Sequence, residues 1–227
     1  MQKIKIKFYA ITIGWTEGGI MRFSIKASAG SKISVGWGDG KVSSHVFNYE
    51  SKKDFYYNYF PRNYKNPPVV KFPVEISCDN PDCQIFDFDL NAADMMATDL
   101  DISNCPELET LCFSASNDRS ELDLSHNTKL KFLYCNTSRF SSLDLSHNTA
   151  LEELHCRSNS ISHLSLVNNY ALRKLDCSFN QMEQLFIYYA PHLTEVNFED
   201  GNNIDDTTKA QIYELVASKP CTKNHHF

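Results

Sequence analysis

The sequence predicts a mostly β chain: an N-terminal antiparallel β-sandwich, a solenoid of short repeats with a parallel sheet, and a short C-terminal capping helix. Three observations predict it. Segments between residues 15 and 77 alternate apolar and polar side chains at period two. From Leu122 onward an apolar L-x-L unit returns every 21 residues. Near the end, Ile212, Leu215 and Val216 fall at i, i+3 and i+4, the spacing of one helix face. The parts these predict are 1–77 for the sandwich, 78–204 for the solenoid and 205–227 for the capping helix and tail.

The chain opens with MQKIKIKFYAITIGW, in which lysine alternates with isoleucine. This reads as an edge strand. A secretory leader would need a longer apolar region and a small-residue cleavage site. Met21–Ala27 and Lys32–Trp37 alternate in the same way. Trp37-Gly-Asp-Gly40 then supplies a tight turn, because Asp-Gly favours hairpins with positive φ. Further strands are expected at 46–49, 55–60 and 69–76, which completes a small antiparallel sandwich.

In the second part, Leu122-Asp-Leu124-Ser-His-Asn127 realigns on Leu143-Asp-Leu145-Ser-His-Asn148, and Leu164-Ser-Leu166 and Leu185-Phe-Ile187 follow at the same offset. A second series interleaves with it: Leu133-Tyr-Cys135, Leu154-His-Cys156, Leu175-Asp-Cys177 and Val196-Asn-Phe198. Leu111-Cys-Phe113 and Leu100-Asp-Ile102 extend both series upstream at a spacing of 22, and the array starts near Phe86–Leu90. The frame L-x-x-L-x-L-x-x-N-x-L fits Leu172 to Met182, with Cys177 at an inward position, and this is the leucine-rich-repeat signature. Each L-x-L or L-x-C unit becomes a short strand whose alternate side chains point inward. One coil cannot bury its apolar face alone, so neighbours stack. Asn159 and Asn180 are placed to bond backbone groups that the bend leaves unpaired, and Asn127, Asn148 and Asn169 do the same on the opposite limb. That limb is too short and polar for a helix, so short strands or extended turns are expected there. Five or six coils at about 4.8 Å each give an array roughly 25 Å long. Asp205 or Asp206 caps the closing helix and Pro220 follows its end.

Of 227 residues, 42% are hydrophobic and 22% charged, as in globular proteins. No apolar run approaches the ~18 residues of a membrane-spanning helix. The net charge of −6 argues against nucleic acid as a partner, since phosphate binding rests on clustered positive charge. The charge is uneven: residues 1–77 carry 12 basic and 5 acidic side chains, residues 78–227 carry 10 and 23.

Chemistry is expected to be absent. Asp123, Ser125 and His126 have the composition of a catalytic triad, and so do Asp144, Ser146 and His147, but they recur because the coil recurs. No phosphate loop, dinucleotide fingerprint or H-E-x-x-H is present, so no cofactor or metal site is expected. Cys135, Cys156 and Cys177 occupy inward leucine positions and read as buried free thiols. Cys78 and Cys83 could close a small disulfide. Asp39 reads as a turn residue, with a calcium ligand as its other possible use. The aromatic run Phe55–Tyr64 either fills the sandwich core or offers Tyr57, Tyr59 and Tyr64 to a glycan.

The turn Trp37-Gly-Asp-Gly40, with His45 and Tyr49 beyond it, resembles the W-G-D-G … H-x-Y pattern of polycystic-kidney-disease-type (PKD) β-sandwich modules. It departs from that pattern at His45, where this chain has His-Val-Phe-Asn-Tyr. The 21-residue repeats resemble those of bacterial internalins, and the combination is similar to surface-associated repeat proteins of gut and oral anaerobic bacteria. The resemblance implies non-enzymatic binding, adhesion or scaffolding outside the cytoplasm. The outward strand residues are the candidate protein-binding face: Phe132, Tyr134, His155, Arg157, Lys174, Asp176 and Asn197. A purely architectural spacer is the further alternative.

Overall fold

A computed structural model describes residues 5–12, 19–59, 70–80, 82–90, 96–114 and 122–218. The strands run in chain order as β1 (Lys5–Thr12), β2 (Gly19–Ala27), β3 (Lys32–Gly36), β4 (Val42–Val46), β5 (Ser51–Tyr59), β6 (Val70–Cys78), β7 (Ile85–Asp89) and β8 (Met96–Asp101). Five short rungs follow: β9 (Thr110–Cys112), β10 (Phe132–Tyr134), β11 (Glu153–His155), β12 (Lys174–Asp176) and β13 (Glu195–Asn197). One helix, α1 (Asp206–Ala217), closes the chain. The mostly β class, the N-terminal sandwich, the parallel solenoid and the capping helix are as the sequence predicts.

The first sheet has the order β4-β3-β6-β1-β8. Period-two alternation holds in β1: Ile6 and Phe8 are buried, while Lys7 and Tyr9 are exposed. The expected edge position does not hold. β1 lies between β6 and β8 and pairs antiparallel with both. The reason is β8, which pairs with β1 through Met96–Thr98 and Asp101, with a register shift between Lys7 and Tyr9. Asp99 takes φ +55° beside that irregularity.

The second sheet has the order β13-β12-β11-β10-β9-β7-β2-β5. Its rungs β7 and β9–β13 pair in parallel, and β2 and β5 extend it antiparallel. Sandwich and solenoid therefore share one sheet. The junction is aromatic: Phe8 of β1, Phe23 of β2 and Phe88 of β7 meet with ring centroids 5.9, 6.2 and 5.7 Å apart. Trp37 joins Phe23 at 5.6 Å, is fully buried, and its indole N–H donates to Ser43 Oγ at 2.9 Å. Gly38 has φ +83°, and a Cβ there would lie 2.7 Å from the Pro73 carbonyl oxygen, so the turn after Trp37 requires glycine.

Each solenoid coil buries the same set. Leu111, Leu133, Leu154 and Leu175 stack in register, and Cys135, Cys156 and Cys177 stack beside them with no exposed surface. Two asparagine ladders hold the bends. Asn159 donates to the Cys135 and Cys156 carbonyls and accepts from the Ser138 and Phe140 amides. Asn180 and Asn202 repeat this one and two coils on. On the opposite limb, Asn127, Asn148 and Asn169 each donate to two carbonyls of the preceding coil side. That limb is built of turns. A left-handed residue recurs at the same position of successive coils, at Thr137, Ser158, Phe179 and Gly201, with φ of +58°, +57°, +53° and +73°, and Arg139 adds a second in the first of these coils at φ +57°.

Asp205 caps α1 by accepting from the Thr208 amide at 2.9 Å. Ile212 is buried, Leu215 and Val216 pack on the core, and Tyr213 lies 5.5 Å from Phe198. The apolar face expected from the spacing covers the last coil.

Candidate partner-binding face

Strand alternation places two rows of side chains on the outward side of the shared sheet. Register defines them. One row is Asp87, Thr110, Phe132, Glu153, Lys174 and Glu195; the other is Asp89, Cys112, Tyr134, His155, Asp176 and Asn197. β2 and β5 continue them with Lys26 and Lys52, and with Ser24 and Asp54. Eight strands at about 4.8 Å spacing make a face roughly 34 Å long.

The middle of the face is tied together. Tyr134 is half-buried, donates to Glu153 Oε2 at 3.1 Å and sets its ring 5.0 Å from that of His155. His155 Nε2 lies 4.0 Å from Glu153. Lys174 bridges Glu153 at 3.7 Å and Glu195 at 3.6 Å. Arg157 sits just past β11 with its guanidinium 4.5 Å from the Phe179 ring centroid. Asp176 accepts from the Ser178 amide and hydroxyl at 3.1 and 2.7 Å. Phe132 is half-buried and Asn197 exposed. Exposed ion pairs contribute about 0–1 kcal/mol each, so this network orders the side chains more than it stabilises the fold. Burial, with the Glu153 carboxylate beside it, pushes the Tyr134 hydroxyl up to about 12. All seven expected residues thus lie on this face or at its margin. Ser178, which strand alternation also turns outward, is fully buried, because its hydroxyl closes the Asp176 turn.

The N-terminal aromatics are placed differently. Tyr57 stacks on Trp37 at 5.1 Å, has Lys41 Nζ 5.2 Å from its centroid, and donates its hydroxyl to Asp39 Oδ2 at 2.5 Å. Asp39 also accepts from the Lys41 amide, and both bonds hold its carboxyl below the usual range. Tyr59 lies in β5, where only its backbone is described, and Tyr64 lies outside the described residues.

The triad-like sets do not have triad order. Ser125 Oγ meets His126 Nδ1 at 3.0 Å, but Asp123 accepts from the Ser125 amide rather than from the imidazole. Ser146, His147 and Asp144 repeat this. Burial pushes Cys135 up to about 12 and holds Cys156 and Cys177 well above the usual thiol range. Cys78 and Cys83 are both buried free thiols, and their interaction holds Cys78 below the usual thiol range and Cys83 above it. Among the described residues, no group of three or more His, Cys, Asp or Glu side chains is arranged to hold a metal, and no helix is long and apolar enough to cross a membrane.

One surface lies outside the expected site. Val167, Phe186, Tyr188 and Tyr189 are exposed on the turn limb of the last coils. The signal is in the sequence: Asp-x-Ser-His at 123–126 and 144–147 becomes Phe-x-Tyr-Tyr at 186–189.

The chain is a leucine-rich-repeat β-solenoid fused through one sheet to a β-sandwich. No family model matches it, and no curated protein does. Among solved structures it is similar to the functional domain of InlJ from Listeria monocytogenes, described as including a cysteine ladder, at 26% identity and a TM-score of 0.43, over 48% of this chain and 29% of that one. It is also similar to the internalin InlF from Listeria monocytogenes at 22% identity and a TM-score of 0.44, over 51% of this chain and 34% of that one. The chain spans about a third of the length of these two internalins.

Proposed function

We propose that the chain is a non-enzymatic binding protein that docks a protein partner on the outward face of its shared sheet, at the cell surface or outside the cell. The observation that carries this is the pre-ordered strip Tyr134–Glu153–Lys174–Glu195, flanked by the Arg157–Phe179 pair. Aromatic and arginine side chains held in place before binding lose little entropy on docking and are the residue types that dominate interfaces. Strips of mixed charge select partners by complementarity. On this reading residues 1–77 are a PKD-like module, 78–204 the binding array and 205–227 its cap. The buried Trp37 and its glycine turn support the module, and the covering of the last coil by Ile212 supports the cap.

The test compares immobilised wild-type chain with Tyr134→Ala/Arg157→Ala against extracellular protein extracts. Expected is a partner held by the wild type whose affinity falls by more than ~2 kcal/mol in the double variant. Equal binding of every captured protein by both would sink the assignment.

A further inference from the structure

The turn limb of the last two coils breaks the rule that the earlier coils keep. In coils at 122–130 and 143–151, an aspartate accepts the amide two residues on, and serine meets histidine. These polar side chains close their own turns. At the corresponding positions the next coil has Ser165, Val167 and Asn168, and the last has Phe186, Tyr188 and Tyr189. The turn-closing carboxylate is gone. In its place stand Phe186, 54% exposed, and Tyr188, 61% exposed. Exposing large rings has no structural return here, because the coil closes without them in the repeats before. Local departures from a repeat's own pattern concentrate at functional positions, and contiguous exposed apolar surface marks an interaction site.

These residues line a cavity of about 600 Å³, with Val167, Phe186, Tyr188 and Tyr189 as its apolar walls and His163, Ser165 and Gln184 among its polar groups. The volume falls in the range of small-ligand sites. Two features choose the ligand class. The solenoid part of the chain is strongly acidic, yet among the described residues no Asp, Glu, Lys or Arg lines this cavity. A charged ligand would find no counter-charge there. The lining instead alternates ring faces with an amide, a hydroxyl and an imidazole. A sugar ring has the complementary surface: an apolar C–H face for an aromatic platform, and equatorial hydroxyls for polar neighbours. His163 is already oriented, since its Nδ1 meets Ser162 Oγ at 2.9 Å, which leaves Nε2 as the ring's other hydrogen-bonding atom.

We infer that this cavity binds a pyranose ring of a neutral glycan, with Phe186 and Tyr188 as stacking platforms and Gln184, Ser165 and His163 as hydroxyl partners. The site lies on the limb opposite the sheet face and does not depend on the partner-binding reading.

The full chain would be titrated calorimetrically with cellohexaose, laminarihexaose, mannohexaose and xylohexaose. Saturable binding of at least one is expected. Phe186→Asp/Tyr188→Ser restores the residues of the earlier coils and so should fold normally, with an unchanged melting temperature. It should weaken binding at least tenfold. Gln184→Ala, outside the aromatic pair, should weaken it several-fold, and Tyr134→Ala should leave it unchanged. No saturable binding of any of the four, or binding that Phe186→Asp/Tyr188→Ser does not weaken, overturns the inference. Loss of a protein partner in that variant, with the four glycans silent, would overturn it in favour of a protein-docking patch.

Discussion

Tyr134 combines the two demands made on a residue of the sheet face. Its ring is held against His155 and its hydroxyl is committed to Glu153, so it is ordered before any partner arrives. The same surroundings disfavour the phenolate, which would sit half-buried beside a carboxylate. The folded-state value, about 12, lies above the ordinary 10, so between these the folded protein holds a proton that the unfolded chain has lost. Tyr134 therefore makes stability fall as pH rises from 10 towards 12 and adds no pH dependence below 10. In a spectrophotometric titration one tyrosine should ionise last, and Tyr134→Phe should remove that late fraction. Unchanged late absorbance in Tyr134→Phe would contradict the assignment. The outward position of Tyr134 is legible because strand alternation follows from the frame. Its bond to Glu153 is not, because partners on neighbouring coils depend on side-chain rotamers the sequence does not state.

Among the elements, the rungs are the most legible and the junction strands the least. A repeat states its constraints once per coil, so Leu133, Leu154 and Leu175 support one another as evidence for the same inward position. β8 has no such support. Met96-Ala-Thr-Asp-Leu-Asp reads only as part of the repeat series through Leu100, yet the strand pairs with β1, and that pairing moves β1 from the edge to the interior. α1 lies between these extremes: its face follows from spacing, and its role follows from the need to cover an open end. The aspartate cap gives a sign for acid. Its bonds to Thr208 depress the Asp205 carboxyl, so its contribution is present above the ordinary carboxylate value and is lost as pH falls through the depressed one. The apolar face matters more. Ile212→Ala should cost about 2–4 kcal/mol by leaving a cavity under the helix. The loss should be local: amides of residues 194–204 should exchange hydrogen faster, while those of β7 to β10 keep their protection. Uniform acceleration, or none, would mean that α1 does not act as the cap of the last coil.

At the scale of the whole molecule, the charge shift near residue 77 suggests two bodies with different surfaces, and the topology joins them. β2 pairs with β5 on one side and β7 on the other, so the sandwich and the first solenoid rung share backbone bonds. Lys52 of the basic part reaches Asp89 of the acidic part at 3.7 Å across that seam. Phe88 lies beneath it, with Phe8 and Phe23 on the sandwich side and, through the rung register, Leu111 on the solenoid side. None of this is legible in the sequence, because β2 and β7 are some 60 residues apart and neither carries a mark of the other. A continuous sheet over a continuous core should transmit unfolding, since neither part can open without exposing the other's apolar face. Two local probes separate the parts: Trp37 fluorescence in a Trp15→Phe background, and the thiol reactivity of Cys156, which is fully buried. In urea their midpoints should coincide. Phe88→Ala should shift both by the same amount, about 3–5 kcal/mol for a buried phenylalanine. A shift seen by Trp37 alone, with Cys156 still protected at the wild-type midpoint, would mean that the seam joins the parts without coupling them. The sheet face would then be two surfaces able to move apart, and a partner spanning Lys52 to Asn197 would have to order both.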